Sequence, residues 1–206
     1  AGFPSHPHRG FETVTYMLDG HMRHEDVLGN RGDLGPGAAQ WMTAGRGIIH
    51  SEMPQQTEGR MRGFQLWLNL PAKEKMKAPA YRDIAATDIA VVRVSGGAVK
   101  VIAGRFGDTR GAVHGGSTDP HYWDVHLEPG AVFEASLPAG HNPVRDSHEG
   151  GAAVCEDAKM LPHRAAGLAG KQGETLRALQ NAAAPLDHLE AQVALSRFLA
   201  SGGRLD

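Results

Sequence analysis

Two short motifs in this sequence have a spacing that could do chemistry: His6-Pro7-His8 and His50-Ser51-Glu52. In an extended strand, residues i and i+2 point to the same face, so each motif presents two ligand-type side chains together. If the motifs lie on neighbouring antiparallel strands, they converge into three imidazoles and one carboxylate. Such a set suits a divalent transition metal: iron, copper, nickel or zinc. Four protein donors in an octahedral shell leave two positions for water, dioxygen or substrate. Histidine pairs at this spacing also arise by chance, so the reading depends on the elements that carry them.

Those elements read as short strands. Phe11 to Leu18 alternates, is rich in β-branched and aromatic residues, and ends at the hairpin signal Asp19-Gly20. Asn30 to Asp33 reads as a turn. Ala39 to Ala44 reads as a strand that stops at Gly45 and Gly47. Arg62 to Leu70 alternates Phe64, Leu66, Leu68 and Leu70 against Gln65, Trp67 and Asn69. Further strands are expected over Ala90 to Gly97 and Ala98 to Gly104, and a hairpin over Trp123 to Gly140 turning at Pro129-Gly130. This pattern predicts an antiparallel barrel or sandwich. Residues 142–173 give few alternating runs. The C-terminal segment reads as a helix: Asp187 as N-cap with Glu190 three residues on, an apolar face of Leu189, Val193, Phe198 and Leu199, and a stop at Gly202-Gly203.

Bulk properties narrow the function classes. The chain has 206 residues, 27 glycines, 12 histidines and a net charge of −2. That balance argues against nucleic acid or an anionic membrane surface as partner. No apolar run approaches the roughly 20 residues that span a bilayer. The single cysteine, Cys155, excludes an internal disulfide and fits a reducing cytoplasm. Glu12, four residues after His8, reads as a structural neighbour of the site. His24 and Glu25 follow a hairpin turn and are expected at the surface. Phe3, Phe11, Trp41, Met42, Phe64 and Trp67 are expected in the barrel core. His121, His126, His141, His148 and His163 lack the paired spacing of a second metal site. Lys73 to Lys77 reads as a solvated loop.

The motifs HPHRGFETV and QWMTAGRGIIHSEMP, and the stretch from Gly2 to about Asn69 that contains them, closely resemble the pirin family of the cupin superfamily. The match continues more loosely through KVIAG and LEPGAVFEASLPAGHN. This resemblance implies an all-β fold: two stacked antiparallel cupin (jelly-roll-like) β-barrels with a C-terminal α-helix. It implies a metal-binding cupin barrel over 1–92, a metal-free barrel of open completeness over 93–184, and the helix over 185–206. The family's metal ligands fall on His6, His8, His50 and Glu52, with Fe(II) as the metal and Ni, Cu, Mn or Zn as alternatives. It further implies a monomeric dioxygenase that cleaves flavonols such as quercetin and releases carbon monoxide. Glu52 would be the catalytic residue, taking the substrate's 3-hydroxyl proton. The alternative is a non-enzymatic, redox-sensitive iron regulator that binds a transcriptional or metabolic protein. Two departures stand out: residues 142–173 fit the family poorly, and the family's glycine-proline-phenylalanine-valine-methionine-asparagine motif is missing.

Overall fold

A computed structural model of the chain describes residues 2–138, residues 141, 144, 146, 148 and 149, and the backbone of Val193–Ala200. Residues 150–192, with Cys155 and His163, lie outside the described residues. The strands are Phe3–His8 (β1), Phe11–Asp19 (β2), Met22–Asp26 (β3), Arg31–Leu34 (β4), Ala39–Thr43 (β5), Ile48–Pro54 (β6), Met61–Asn69 (β7), Ala80–Ile84 (β8), Ala90–Val94 (β9), Gly97–Ala103 (β10), Arg105–Phe106 (β11), Thr109–Arg110 (β12), Tyr122–Leu127 (β13) and Val193–Ala200 (β14). Every pairing between these strands is antiparallel. The fold is therefore the antiparallel all-β, cupin-type architecture that the motifs imply. By backbone proximity, Ala1–Ala135 with Ala191–Asp206 forms one compact unit and Ser136–Glu190 a second.

Two sheets carry the first part of the chain, in the orders β1-β6-β3-β4 and β14-β7-β2-β5-β8. β1 lies at a sheet edge, which suits Pro4 and Pro7, since neither can donate to a ladder. β2 runs through the middle of the five-stranded sheet and is buried on both faces. Val14 and Tyr16 pack with Trp41, Leu66, Leu68, Ile84 and Ile102 in the main apolar cluster. On the opposite face, Met17 packs with Met22, Leu34 and Met61, while Thr15 points at Glu52. The sheet thus has an apolar side against β10 and a mixed side toward the chemistry.

Two expectations are corrected. The helix expected over 185–206 is a strand at Val193–Ala200, paired in register with β7 from Val193↔Leu68 to Ala200↔Met61. The open edge of β7 offers backbone pairing to all eight residues of this segment, and pairing overrides helical capping signals. The rest of 185–206 lies outside the described residues. The hairpin expected at Pro129-Gly130 has its turn, with the Ala131 N–H donating to the Glu128 carbonyl at 3.1 Å. Its second arm forms no strand among the described residues, and β13 pairs with β10 instead.

A polar clamp centred on buried Tyr16 and Asp124 ties β2 to β10 and β13. The Tyr16 hydroxyl donates to Asp124 Oδ2 at 2.7 Å, His126 Nε2 lies 2.8 Å from the same oxygen, and Lys100 Nζ stands 3.5 Å away. Burial pushes the Asp124 carboxyl up, but the Tyr16 and His126 hydrogen bonds outweigh it and hold the group below its ordinary value. Its stabilising effect is therefore complete above the unfolded value near pH 4 and is lost as pH falls through the folded value. Asp124→Asn should lower stability at pH 7 by about 1.5–3 kcal/mol. Thermal melts between pH 7 and pH 3 should show the gap from the native protein closing with acid. A gap constant across that range would rule out the ionised clamp.

Candidate metal centre

β1 and β6 are antiparallel neighbours, and their register sets His6 directly opposite His50. A register shift between Phe3 and His6, across Pro4, brings Phe3 opposite Glu52. His8 lies two residues beyond His6 on the same face. The result is a cluster of His6, His8 and His50 whose donor atoms all fall within 4.8 Å of one another. His6 Nε2 is 3.0 Å from His8 Nε2 and 3.0 Å from His50 Nε2.

The protonation pattern of this cluster follows from its hydrogen bonds. His6 Nδ1 lies 2.7 Å from the Pro4 carbonyl, which can only accept, so Nδ1 carries a proton and the neutral form of the ring is the one with a bare Nε2. His8 and His50 are buried. Burial and the neighbouring imidazoles lower His8 to about 4 and His50 to about 3, so both rings are neutral at pH 7. The Nε2 atoms of His8 and His50 each lie 3.0 Å from His6 Nε2, and a cation between these converging ring nitrogens would be held by all three. The donor set fits a divalent transition metal.

Glu52 is almost fully buried, at 2% exposure, and stands outside the three-histidine group. Its carboxylate accepts from Gln65 Nε2 at 2.8 and 3.0 Å and from Thr15 Oγ1 at 3.1 Å. Trp67 Nε1 donates to Gln65 Oε1 at 2.8 Å, which turns the Gln65 amide nitrogen toward Glu52. Burial raises the Glu52 carboxyl, against the opposing effect of those hydrogen bonds.

Several residues lie elsewhere than their sequence context suggests. His24 is 1% exposed, not at the surface. Its Nδ1 lies 3.2 Å from His50 Nδ1, and its Nε2 lies 3.3 Å from Asp26 Oδ2. The signal that could have found it is His24-Glu25-Asp26, a third i, i+2 motif. Phe11 and Trp67 are only partly buried and stack at 4.8 Å, with His8 edge-on to both at 4.9 and 5.3 Å. They form an aromatic wall beside the cluster. Phe3 is exposed, whereas Trp41, Met42 and Phe64 are in the core. Glu12 accepts from Thr43 and Thr118, which makes it a strut between β2, β5 and the loop before β13. In the lysine-rich loop, Lys75 docks on the Gly10 carbonyl at 2.9 Å and bears on the turn after His8.

Residues 1–68 match the pirin family model. A Pseudomonas aeruginosa protein named provisionally as a quercetin 2,3-dioxygenase is 58% identical over 159 residues, covering 75% of this chain and 56% of that protein. A pirin-like protein of Caulobacter vibrioides is 53% identical over 158 residues, covering 76% of this chain and 57% of its own. Among solved structures, a quercetin 2,3-dioxygenase from Acinetobacter baumannii aligns with a TM-score of 0.63 and 38% identity. That alignment covers 68% of this chain and 50% of the other. The chain spans about half the length of the curated relatives it matches.

Proposed function

Over residues 1–68 this chain is a pirin-family sequence, and on that premise we propose that it is the metal-bearing part of a dioxygenase acting on flavonol-like aromatic substrates. The observation that carries the reading is the convergence of three imidazoles beside a buried carboxylate and a partly open aromatic wall. His6, His8 and His50 are the proposed metal ligands, with Glu52 as fourth donor and proton acceptor. A bound divalent iron would supply Lewis acidity toward the 3-hydroxyl and 4-carbonyl of a flavonol and electron exchange with dioxygen.

The chain's own groups have separate tasks. The Pro4 carbonyl holds His6 with its Nε2 free. Phe11 and Trp67 offer a flat apolar surface for a planar ring. Glu52, made more basic by burial, takes the proton of the 3-hydroxyl. Gln65 and Thr15 hold that carboxylate in place. In the overall reaction both dioxygen atoms enter the substrate, the central ring opens and one carbon leaves as carbon monoxide.

The test is oxygen uptake and carbon monoxide release by iron-loaded protein given quercetin. Glu52→Ala should lower turnover by about 100-fold or more, the scale of a lost general base. Native turnover no faster than that of the variant would overturn the dioxygenase reading. Tight metal binding without flavonol-dependent uptake would favour the metal-dependent regulator.

A further inference from the structure

We propose that His24 and Asp26 form a hydrogen-bond relay that holds His50 in the tautomer with a bare Nε2, and thereby sets the affinity of the centre for a divalent cation. This inference rests on the metal-centre reading above. β3 lies beside β6, and the register places Asp26 opposite His50 and His24 opposite Glu52. His24 and Asp26 are two apart on one strand, so both side chains point to the face that His50 occupies.

Proton counting gives the direction of the relay. Ionised Asp26 can only accept, so His24 Nε2, 3.3 Å from Asp26 Oδ2, carries the proton. With a single proton on its ring, His24 has a bare Nδ1. The neighbour of that atom is His50 Nδ1 at 3.2 Å, which must therefore be the donor. With its proton on Nδ1, His50 has a bare Nε2, the atom 3.0 Å from His6 Nε2. His6 reaches the same tautomer by another route, its bond to the Pro4 carbonyl.

The relay is anchored at its far end. Asp26 Oδ1 accepts from the backbone N–H groups of Leu28 and Asn30 at 2.9 and 3.0 Å, and Oδ2 accepts from Asn30 Nδ2 at 2.8 Å. The Asp26 and His24 side chains are 0% and 1% exposed. The Tyr81 ring stacks on His24 at 4.5 Å and 28°, which fixes the plane of the imidazole. A buried histidine that only filled space would need neither the carboxylate below it nor the ring nitrogen above it. Groups that orient a metal-bound imidazole typically govern affinity by about 10- to 100-fold.

Two substitutions separate relay from packing. His24→Phe keeps the ring volume and the stack on Tyr81 but has no acceptor. His24→Asn loses volume but keeps an oxygen close to the position of Nδ1. Cobalt(II) affinity, measured by chelator competition and by the ligand-field spectrum, should fall about 10- to 100-fold in His24→Phe and recover largely in His24→Asn. A packing role gives the reverse order. Native-like cobalt affinity in His24→Phe, or an equal loss in both variants, would overturn the relay. Nitrogen-15 histidine spectra of the unsubstituted, metal-free protein supply a readout that needs no variant to fold. The His50 proton should sit on Nδ1, and a proton on Nε2 would overturn the inference. Failure of the metal-centre reading looks different: the unsubstituted protein would bind no cobalt, or His50→Ala would bind it equally well.

Discussion

Replacing His50 with alanine should strip the proposed centre of its metal. Apparent binding free energies for a four-donor divalent site are about 10–16 kcal/mol, so one donor among four accounts for roughly 3–4 kcal/mol. At about 1.4 kcal/mol per decade, the loss is on the order of 100- to 1,000-fold in affinity. His50 is the most sensitive position because it has two links. It faces His6 across the β1–β6 ladder, and it contacts His24 from behind. Its removal also leaves His24 Nδ1 without that partner in a site only 1% exposed. Metal analysis of protein as purified should find about one equivalent in the native chain and little in the variant after chelator challenge. Equal metal content in both would exclude His50 as a ligand.

Much of this centre was legible in the sequence, because i, i+2 spacing is a local property. His6 and His8 share a face wherever they lie in a strand, and so do His50 and Glu52. Which face meets which depends on pairing register, and that is not local. The register sets His6 opposite His50, and the shift between Phe3 and His6 puts Phe3, rather than Pro4, opposite Glu52. As a result three imidazoles converge while the carboxylate is gathered by Gln65 and Thr15 from the other sheet. The same limit hid His24. A histidine shortly after a hairpin turn reads as exposed, but β3 runs between β6 and β4, and that interior position buries it.

The alternation of β7 was also readable, but its meaning was not. Phe64, Leu66 and Leu68 are buried as the period-2 pattern predicts. Gln65, on the other face, carries no sign of a role in its spacing, and Trp67 beside it reads as barrel core. They instead hold Glu52 and flank His8, because this sheet turns its mixed face toward the chemistry. The C-terminal segment failed for a different reason. Capping residues are a weak local preference, whereas eight backbone pairings along β7 are a tertiary one.

Gly45→Ala should be among the most damaging substitutions that touch no proposed ligand. Gly45 has φ +52°, in the left-handed region, which costs an alanine about 1 kcal/mol. Its added Cβ would also collide with the Lys77 carbonyl oxygen, a backbone atom that cannot swing aside. Overpacking of this kind adds about 1–3 kcal/mol, giving about 2–4 kcal/mol in all and a melting temperature lower by roughly 10 °C. The consequence reaches the centre. The Gly45 carbonyl accepts from the Gly10 N–H at 2.7 Å, and the Arg46 N–H donates to the same Lys77 carbonyl at 2.9 Å. This turn therefore stitches the end of β1, with His8, to the start of β6, with His50. A backbone shift there moves two proposed ligand strands together, so metal affinity should fall with stability. Gly107→Ala is the control: its φ is also positive, at +55°, but nothing lies within 4 Å of the added Cβ. It should cost only about 1 kcal/mol and leave metal affinity unchanged. Paired thermal melts and cobalt titrations decide the matter. If the two variants behave alike, the Gly45 turn is a flexible link, and the spacing between His8 and His50 is set by the sheet alone.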